Sequence, residues 1–318
     1  MPTDSPMSFH NYNPVRRYDK NPILTGKDFP DSYCIIHVFN SGIIKHDGKY
    51  LMVCRCEDAG LKAYFWIAES EDGLRFTPRD KPIDMPVNDP MFRKYAEVNI
   101  YDPRITKLGD TYYLMHAAHS RYDCRGALQS TKDFRTFTWH GFITDAGNRN
   151  CVLFPEKFGD DYVRLDRPLT TWDSGDMWIS YSKDLIHWGR GDCILPKSRV
   201  PWAWSKVGAG AVPIKTERGW LNIFHGVRSQ AKSHLVYQLG VCVHDLKDPA
   251  RVIALSRKPI LTPTMDYELH GQTPSVVFTA GVVVEEDRTI KLYYGGADTV
   301  QCVGFTTVDE LLALCDEA

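Results

Sequence analysis

The chain repeats one composite unit five times, at intervals of about 50–70 residues. Each copy has an apolar alternating strand pattern, a polar turn and a second, aromatic-rich strand pattern, followed by a third. The five turns are HDGK, LGDT, GDDY, TERG and EEDRT, and their Gly and Asp residues suit tight hairpins. A radially repeated β-meander is typical of a propeller. The sequence therefore predicts an all-β, single-domain, five-bladed β-propeller.

A β-sandwich with a similar number of strands is the alternative fold, but sandwiches do not repeat a blade-like unit. We expect residues 1–30 to form an N-terminal arm and residues 31–318 to form the propeller catalytic domain, which ends in a short helix at DELLALCDEA. We expect a homo-oligomer. The arm segment MSFHNYNPVRRY could pack on a neighbouring subunit or be disordered.

Composition narrows the class of protein. The 318 residues are 43% hydrophobic and carry a formal net charge of −2, which argues against a general nucleic-acid or membrane-surface binder. We find no pattern of a signal peptide or membrane span. The nine cysteines are odd in number and include no C-x-x-C pair, which argues against a disulfide scaffold or a cysteine zinc site. We expect a cytoplasmic protein.

Polar side chains interrupt the apolar strand patterns in all five units. Charged groups in such positions are costly unless they are paired or functional. In a propeller the innermost strands line an axial funnel, so that these residues would converge there. The embedded polar residues are Asn40, Arg55, Asp102, Arg149, Asn150, Asp166, Arg167, Lys206, His225, Tyr237 and Asp298.

Structural roles are open for several of these residues and their neighbours. Arg104 and Arg167, each beside a proline, could tie blades together. Asp298 could cap a turn, and His225 could be a core histidine. Asp102 is the hardest to explain in this way, because an aspartate that opens a blade points at the channel. Turn or salt-bridge roles are the alternative for Glu57, Asp58 and Glu156.

The aromatic content and the polar set indicate carbohydrate chemistry. Eight tryptophans and sixteen tyrosines offer faces on which sugars stack. Glycoside hydrolysis needs two carboxylates. Phosphorolysis needs one acid, since phosphate is already a nucleophile, together with cations and donors that hold it. The set of Arg149, Asn150, Lys206 and His225 suits an oxyanion and favours phosphorolysis.

Long ordered motifs give a family resemblance over nearly the whole chain. They are RRYDKNPIL, FNSG, YDPRITKLGDTYY, NRNCVLFPEK, LDRP, KVGAGAVPI, FHGV and YYGGADT. With them the sequence resembles glycoside hydrolase family 130, the β-mannoside phosphorylases and related mannosidases, whose members are five-bladed propellers. The resemblance implies that Asp102 is the single catalytic acid and relays its proton through the 3-hydroxyl of the mannose. It implies a mannosyl site of Asn40, Arg55 and Asp298, and a phosphate site of Arg149, Asn150, Lys206, His225 and Tyr237.

The expected activity is inverting phosphorolysis of β-mannosides, with β-1,4-mannooligosaccharides or mannosylglucose as substrate and α-mannose 1-phosphate as product. Inorganic phosphate would be the co-substrate, and we expect no metal or other cofactor. A β-mannosidase is the alternative, although family hydrolases lack the basic set and use two glutamates. A non-catalytic sugar-binding propeller is a second. The loops MHAAHSRYDCRG and RSQAKSH depart from the family pattern, so the acceptor sugar and the linkage stay open.

Overall fold

The structure is a computed structural model that describes residues 14–171, 174–230 and 234–317. Residues 1–13 of the predicted arm lie outside the described residues. Strands dominate, and the helices are short, so the prediction of an all-β chain is confirmed. None of the helices in these ranges has the length and apolar character that a bilayer crossing requires.

The strands and helices have the following bounds in chain order. The first half contains β1 (Arg16–Arg17), β2 (Ile35–His46), β3 (Lys49–Asp58), β4 (Ala63–Ser70), β5 (Thr77–Pro78), α1 (Pro90–Tyr95), β6 (Asn99–Leu108), β7 (Thr111–Ser120), β8 (Asp123–Thr131), β9 (Thr138–Phe142), β10 (Asn148–Leu153), β11 (Tyr162–Thr171) and β12 (Ser174–Gly175). The second half contains β13 (Met177–Ser182), β14 (Gly189–Leu195), β15 (Lys206–Ala209), β16 (Ile214–Thr216), β17 (Gly219–Gln230), β18 (His234–His244), β19 (Val252–Ser256), α2 (Asp266–Leu269), β20 (Val277–Val284), β21 (Thr289–Gly296), β22 (Val300–Thr307), α3 (Val308–Ala313) and β23 (Cys315–Glu317). Three single-turn 3-10 helices cover Gly26–Asp28, Asp31–Tyr33 and Lys197–Arg199.

The first two units form separate four-stranded antiparallel sheets whose strands neighbour one another in chain order, β2 to β5 and β6 to β9. Asp47 and Gly48 join β2 to β3 with φ angles of 49° and 79°. Two consecutive positive φ values are the geometry of a two-residue hairpin turn, for which Asp-Gly is a preferred pair. The turn that the HDGK motif predicts is therefore present.

The third and fourth units fall in one open eleven-stranded sheet. Each keeps a meander order, β11–β13–β14 and β15–β17–β18–β19. The short strand β12 joins them, because Gly175 pairs with Leu169 of β11 and with Lys206 of β15. At the far edge β23, which follows α3, pairs with β19.

The last unit is a four-stranded sheet in which β1 pairs with β22 at the outer edge. Arg17 fixes this edge. Its guanidinium donates to both carboxylate oxygens of Glu268 at 2.7 and 2.8 Å and to the carbonyl of Thr262 at 2.7 Å. Glu268 is fully buried, so this bidentate pair ties β1 to the segment before β20.

The first strands of neighbouring units lie against each other. Thr106 in β6 donates to the carbonyl of Leu153 in β10 at 3.0 Å. An added Cβ at Gly281 in β20 would stand only 2.7 Å from Ile43 in β2. The guanidinium of Arg104 reaches from β6 to the carbonyl of Gly210, directly after β15, at 2.7 Å. The inner strands thus meet at one place, and Arg104 has the tying role that the sequence left open.

Candidate active site

β-Bulges place the predicted site residues. The register of the inner strands shifts between Phe39 and Gly42, between Tyr101 and Arg104, and between Arg149 and Val152. Inside these shifts lie Asn40, Asp102 and Asn150, with φ angles of 49°, 53° and 58°. Asn and Asp adopt this left-handed conformation more readily than other residues with a side chain. A bulge re-aims the side chain that it carries, which explains polar groups here in apolar strands.

The bulged residues line one cavity of about 350 Å³. It contains seven of the nine predicted site residues, namely Asn40, Arg55, Asp102, Arg149, Asn150, Tyr237 and Asp298. Its other lining residues are Val98, Asn99, Tyr101, His119, Arg167, Val276 and Phe278. A larger cleft of about 650 Å³ opens between the outer strands β14 and β19, but no predicted site residue lines it. The smaller cavity is therefore the candidate active site.

Asp102 is held by one of its two carboxylate oxygens. Oδ1 accepts a hydrogen bond from the amide of Asn40 at 3.1 Å and another from Nη1 of Arg55 at 3.0 Å. Within the described part of the chain, no hydrogen bond reaches Oδ2. The side chain is 10% exposed at the cavity wall. One oxygen therefore fixes the group, and the other is available to a ligand.

Arg55 lies at the centre of a negatively charged group. Its guanidinium contacts Asp102 and also Glu57, and it stacks on the ring of Phe39 with 4.1 Å to the centroid. Burial opposes the charge of Arg55, but the carboxylates of Asp102, Glu57 and Asp298 outweigh burial and raise its pKa. Arg55 therefore stays charged and holds this half of the cavity together.

Asp298 completes the acidic half. Its Oδ1 accepts from the same Asn40 amide at 3.4 Å, so that one amide group bridges two carboxyl groups. Burial raises the pKa of Asp298, and the nearby Asp102 adds to this, while Arg55 opposes it. An ionised Asp298 is thus a cost to the fold that a ligand's hydroxyl groups could offset.

Replacing Asp298 with Asn is expected to raise the melting temperature of the ligand-free protein by about 1–3 °C at pH 7. A carboxyl group with a raised pKa in the folded state loses stability as the pH rises through that pKa, whereas the amide does not titrate. The gain should therefore shrink as the pH falls towards about 4, where the unfolded carboxyl also protonates. The φ of 50° suits Asn as well as Asp. Thermal unfolding at both pH values tests this.

Asp47→Asn is the matched control, since Asp47 has a φ of 49° but an exposed side chain. A gain for Asp298→Asn that is equal at both pH values, or equal to that of Asp47→Asn, would assign the effect to backbone conformation and contradict a charge that partial burial destabilises.

Two arginines form the basic half of the cavity. Arg149 in β10 and Arg167 in β11 stand directly opposite each other in the antiparallel pair. Like charges at such positions repel, and among the described residues neither arginine has a carboxylate partner. Burial and the charge of Arg149 lower the pKa of Arg167 to about 10. Burial opposes the charge of Arg149, but Tyr101 and Cys124 raise its pKa. Both side chains remain cationic at neutral pH, which is the arrangement of an anion site.

Lys206 and His225 stand behind this wall rather than among its lining residues. Nη1 of Arg167 donates to Nε2 of His225 at 2.7 Å, which makes Nε2 an acceptor. Burial, followed by the charges of Arg167, Arg104 and Lys206, holds the pKa of His225 well below its usual range. His225 is therefore a neutral support for Arg167. Nζ of Lys206 lies 5.2 Å from the ring centroid of Tyr237, which does line the cavity.

Unpaired polar atoms cluster around the basic half. In the described ranges, Nε of Arg149, Nε of Arg167 and Oδ1 of Asn150 are buried and have no hydrogen-bond partner. Buried polar groups in proteins are nearly always paired, so these atoms are available to ordered water or to a polar ligand. Among the same residues, no group of three or more His, Cys, Asp or Glu side chains is placed to hold a metal ion.

Several lining residues were not predicted from the sequence. Tyr101 and Asn99 precede Asp102 on the bulged strand, and His119 lies opposite Asn99 on β7. Asn99 and Tyr101 could have been recognised from the sequence, because period-2 alternation puts them on one face of the strand next to Asp102. Val98, Val276 and Phe278 are apolar and carry no such signal. Arg167 was among the polar residues expected to face the funnel but was not assigned to the phosphate site, and the structure places it in the cavity wall.

Comparisons with known proteins identify the family. The family model described as β-1,4-mannooligosaccharide phosphorylase, glycoside hydrolase family 130, matches residues 15–317. The chain therefore belongs to glycoside hydrolase family 130, and it is an enzyme of the carbohydrate phosphorylase type that this family model describes. The resemblance inferred from the motifs is confirmed.

The relatives of this chain are named for different linkages. This chain is 36% identical over 296 residues to a 1,2-β-oligomannan phosphorylase of Thermoanaerobacter sp., with 90% of this chain and 95% of the relative covered. It is 32% identical over 308 residues to a β-1,4-mannooligosaccharide phosphorylase of Ruminococcus albus, with 94% and 90% covered.

Among solved structures, a relative at 30% identity shares the fold. It is the β-1,2-mannobiose phosphorylase of Listeria innocua in complex with β-1,2-mannobiose. Its TM-score is 0.83 at 30% identity, and 94% of this chain and 98% of that chain are covered.

Proposed function

We propose that this enzyme cleaves β-mannosides by inverting phosphorolysis and releases α-mannose 1-phosphate. The observation that carries the proposal is the facing pair of Arg149 and Arg167, which lack a carboxylate partner in the described ranges and line the same cavity as Asp102. A dianion between them would remove their mutual repulsion and use their unpaired Nε groups. The names of the relatives agree with this reaction.

The proposed step is a single displacement. An oxygen of the bound phosphate attacks the anomeric carbon, and the bond from that carbon to the glycosidic oxygen breaks. Asp102 supplies the proton that the leaving oxygen takes up, by way of the 3-hydroxyl of the mannosyl ring, as the family resemblance implies. Attack from the opposite face turns a β-glycoside into an α-phosphate. Phosphate takes the place of the second carboxylate that hydrolysis needs.

The remaining residues bind and orient the reactants in this proposal. Asn40, Arg55 and Asp298 hold the mannosyl ring, and Asn150 and Tyr237 complete the phosphate site. His225 acts through Arg167, and Lys206 adds positive charge behind Tyr237. No protein cofactor takes part in the step.

We also propose that the five units are the blades of a propeller whose axis passes through the cavity. The meander order of the units and the meeting of the inner strands support this arrangement. It explains why polar residues distant in sequence line one cavity.

Phosphate dependence tests the reaction. The enzyme is incubated with β-1,4-mannobiose, β-1,2-mannobiose and mannosylglucose, each with and without inorganic phosphate. We expect α-mannose 1-phosphate from at least one substrate only when phosphate is present. Free mannose released at full rate without phosphate would overturn the proposal in favour of a mannosidase.

The linkage is decided by the same panel, since the relatives represent both β-1,2 and β-1,4 bonds. The reverse reaction gives an independent measurement. Supplied with α-mannose 1-phosphate and a series of acceptor sugars, the enzyme should release phosphate with those acceptors that fit the site.

A further inference from the structure

Glu57 holds the arginine that holds the proposed acid. Nε and Nη2 of Arg55 donate to Oε1 of Glu57 at 3.2 and 2.7 Å, whereas Nη1 donates to Oδ1 of Asp102 at 3.0 Å. Arg55 and Glu57 are two residues apart on β3 and so share a face of the strand. One guanidinium thus bridges two carboxylates. Glu57 accepts from its Nε and Nη2 groups, and Asp102 accepts from Nη1.

Glu57 is itself fixed but does not reach the cavity. It is 1% exposed and is not among the lining residues. The amide of Asn99 donates to its Oε1 at 3.3 Å, and Nδ1 of His37 lies 3.7 Å from its Oε2. A buried carboxylate is costly unless it is paired, and Arg55 is the cation that pairs with it. A group of this kind, one contact removed from the substrate site, acts through its neighbour.

An arginine without Glu57 would have a stronger alternative. Guanidinium and carboxylate groups prefer a bidentate pair with two parallel hydrogen bonds. If Nε and Nη2 were released, Arg55 could engage both oxygens of Asp102. Oδ2, which has no hydrogen bond in the described part of the chain, would then be occupied. A bidentate arginine also favours the ionised carboxylate over the protonated acid.

We propose that Glu57 is a positioning residue for the acid step. It accepts hydrogen bonds from Nε and Nη2 of Arg55, so that Arg55 binds only Oδ1 of Asp102, through Nη1, and leaves Oδ2 for proton transfer. This inference rests on the proposed function of Asp102. It assigns to Glu57 a task beyond the turn or salt-bridge role that its sequence context suggested.

The test compares Glu57→Gln and Glu57→Ala with the wild type in phosphorolysis. We expect kcat to fall by about 10²-fold in the alanine variant and by less in the glutamine variant, which keeps an acceptor but loses the charge. The KM for phosphate should stay within about threefold, because the basic half of the cavity is unchanged. The alkaline limb of the pH–rate profile should move to lower pH, since the acid is lost at lower pH when Arg55 favours its ionised form.

Other charged or titratable groups near Asp102 are unchanged in these variants. They are Asp298, reached through Asn40, the guanidinium of Arg104, which donates to the backbone carbonyl of Asp102 at 2.9 Å, and the adjacent Tyr101.

Asp166→Asn is the matched control. Asp166 also pairs with an arginine two residues away, Arg164, on one strand, and both are buried outside the cavity lining. We expect it to lower the melting temperature and to leave kcat and the pH profile in place. The same result for both Glu57 variants would overturn the positioning role.

A uniform loss of kcat and affinity for both substrates would also overturn it, since that is the mark of a disordered site. The glutamine variant, which keeps the side-chain volume, covers the case in which the alanine variant does not fold. Wild-type activity that does not depend on phosphate would instead reject the proposed function, which separates the two failures.

Discussion

Asp102→Asn is expected to lower the phosphorolysis rate by about 10²–10⁴-fold while mannoside binding stays close to that of the wild type. Asparagine has the same shape and tolerates the φ of 53° at this position. Its carbonyl oxygen can still accept the hydrogen bonds that Asn40 and Arg55 donate. It has no acidic proton to give to the leaving oxygen. Steady-state kinetics together with calorimetric titration of the mannoside measure the two effects separately.

Asp47→Asn serves again as the control, because it makes the same change at an exposed turn residue with a similar φ. Turnover in Asp102→Asn within a few-fold of the wild type would remove Asp102 from the acid role.

Arg149→Ala is expected to raise the KM for phosphate by about 30- to 1000-fold, with a much smaller change in the KM for the mannoside. The loss corresponds to about 2–4 kcal/mol for a charged hydrogen-bonding group at an anion site. Lys206→Ala should act in the same direction. Arg167→Ala should too, and a double variant of the two arginines should lose less than the sum, because each single change relieves the repulsion between them.

The control for the arginine variants is Arg75→Ala, because the side chain of Arg75 is 90% exposed and lies away from the cavity. Initial rates measured while each substrate is varied in turn give both KM values. Equal increases in the two KM values would contradict a phosphate site at Arg149.

The sequence predicted the strand units and the half of the site that depends on local chemistry. The Asp-Gly turn at residues 47–48 can be recognised from a few residues, and so can an Asn or Asp within an apolar strand. The six residues of α1 and the four of α2 are too short to show a helical period.

The sequence could not predict which site residues line the cavity and which lie behind its wall. Lys206 and His225 lie on strands next to the site, and period-2 alternation gives the face of a strand but not its distance from a ligand. A bulge also reverses the alternation after it, so that Arg104 and Arg167, both beside prolines, end in different surroundings. Arg104 spans the inner strands, whereas Arg167 lines the cavity. Only the pairing of strands across the units distinguishes them.

The left-handed backbone at Asn40, Asp102 and Asn150 limits how this enzyme can diverge. Glutamate or another long side chain at these three positions would cost roughly 1–2 kcal/mol in backbone conformation alone. New reactivity is therefore easier to evolve at lining residues outside the bulges, such as Arg55 and Arg167, than at the bulges themselves. The innermost polar groups should change least as substrates diversify.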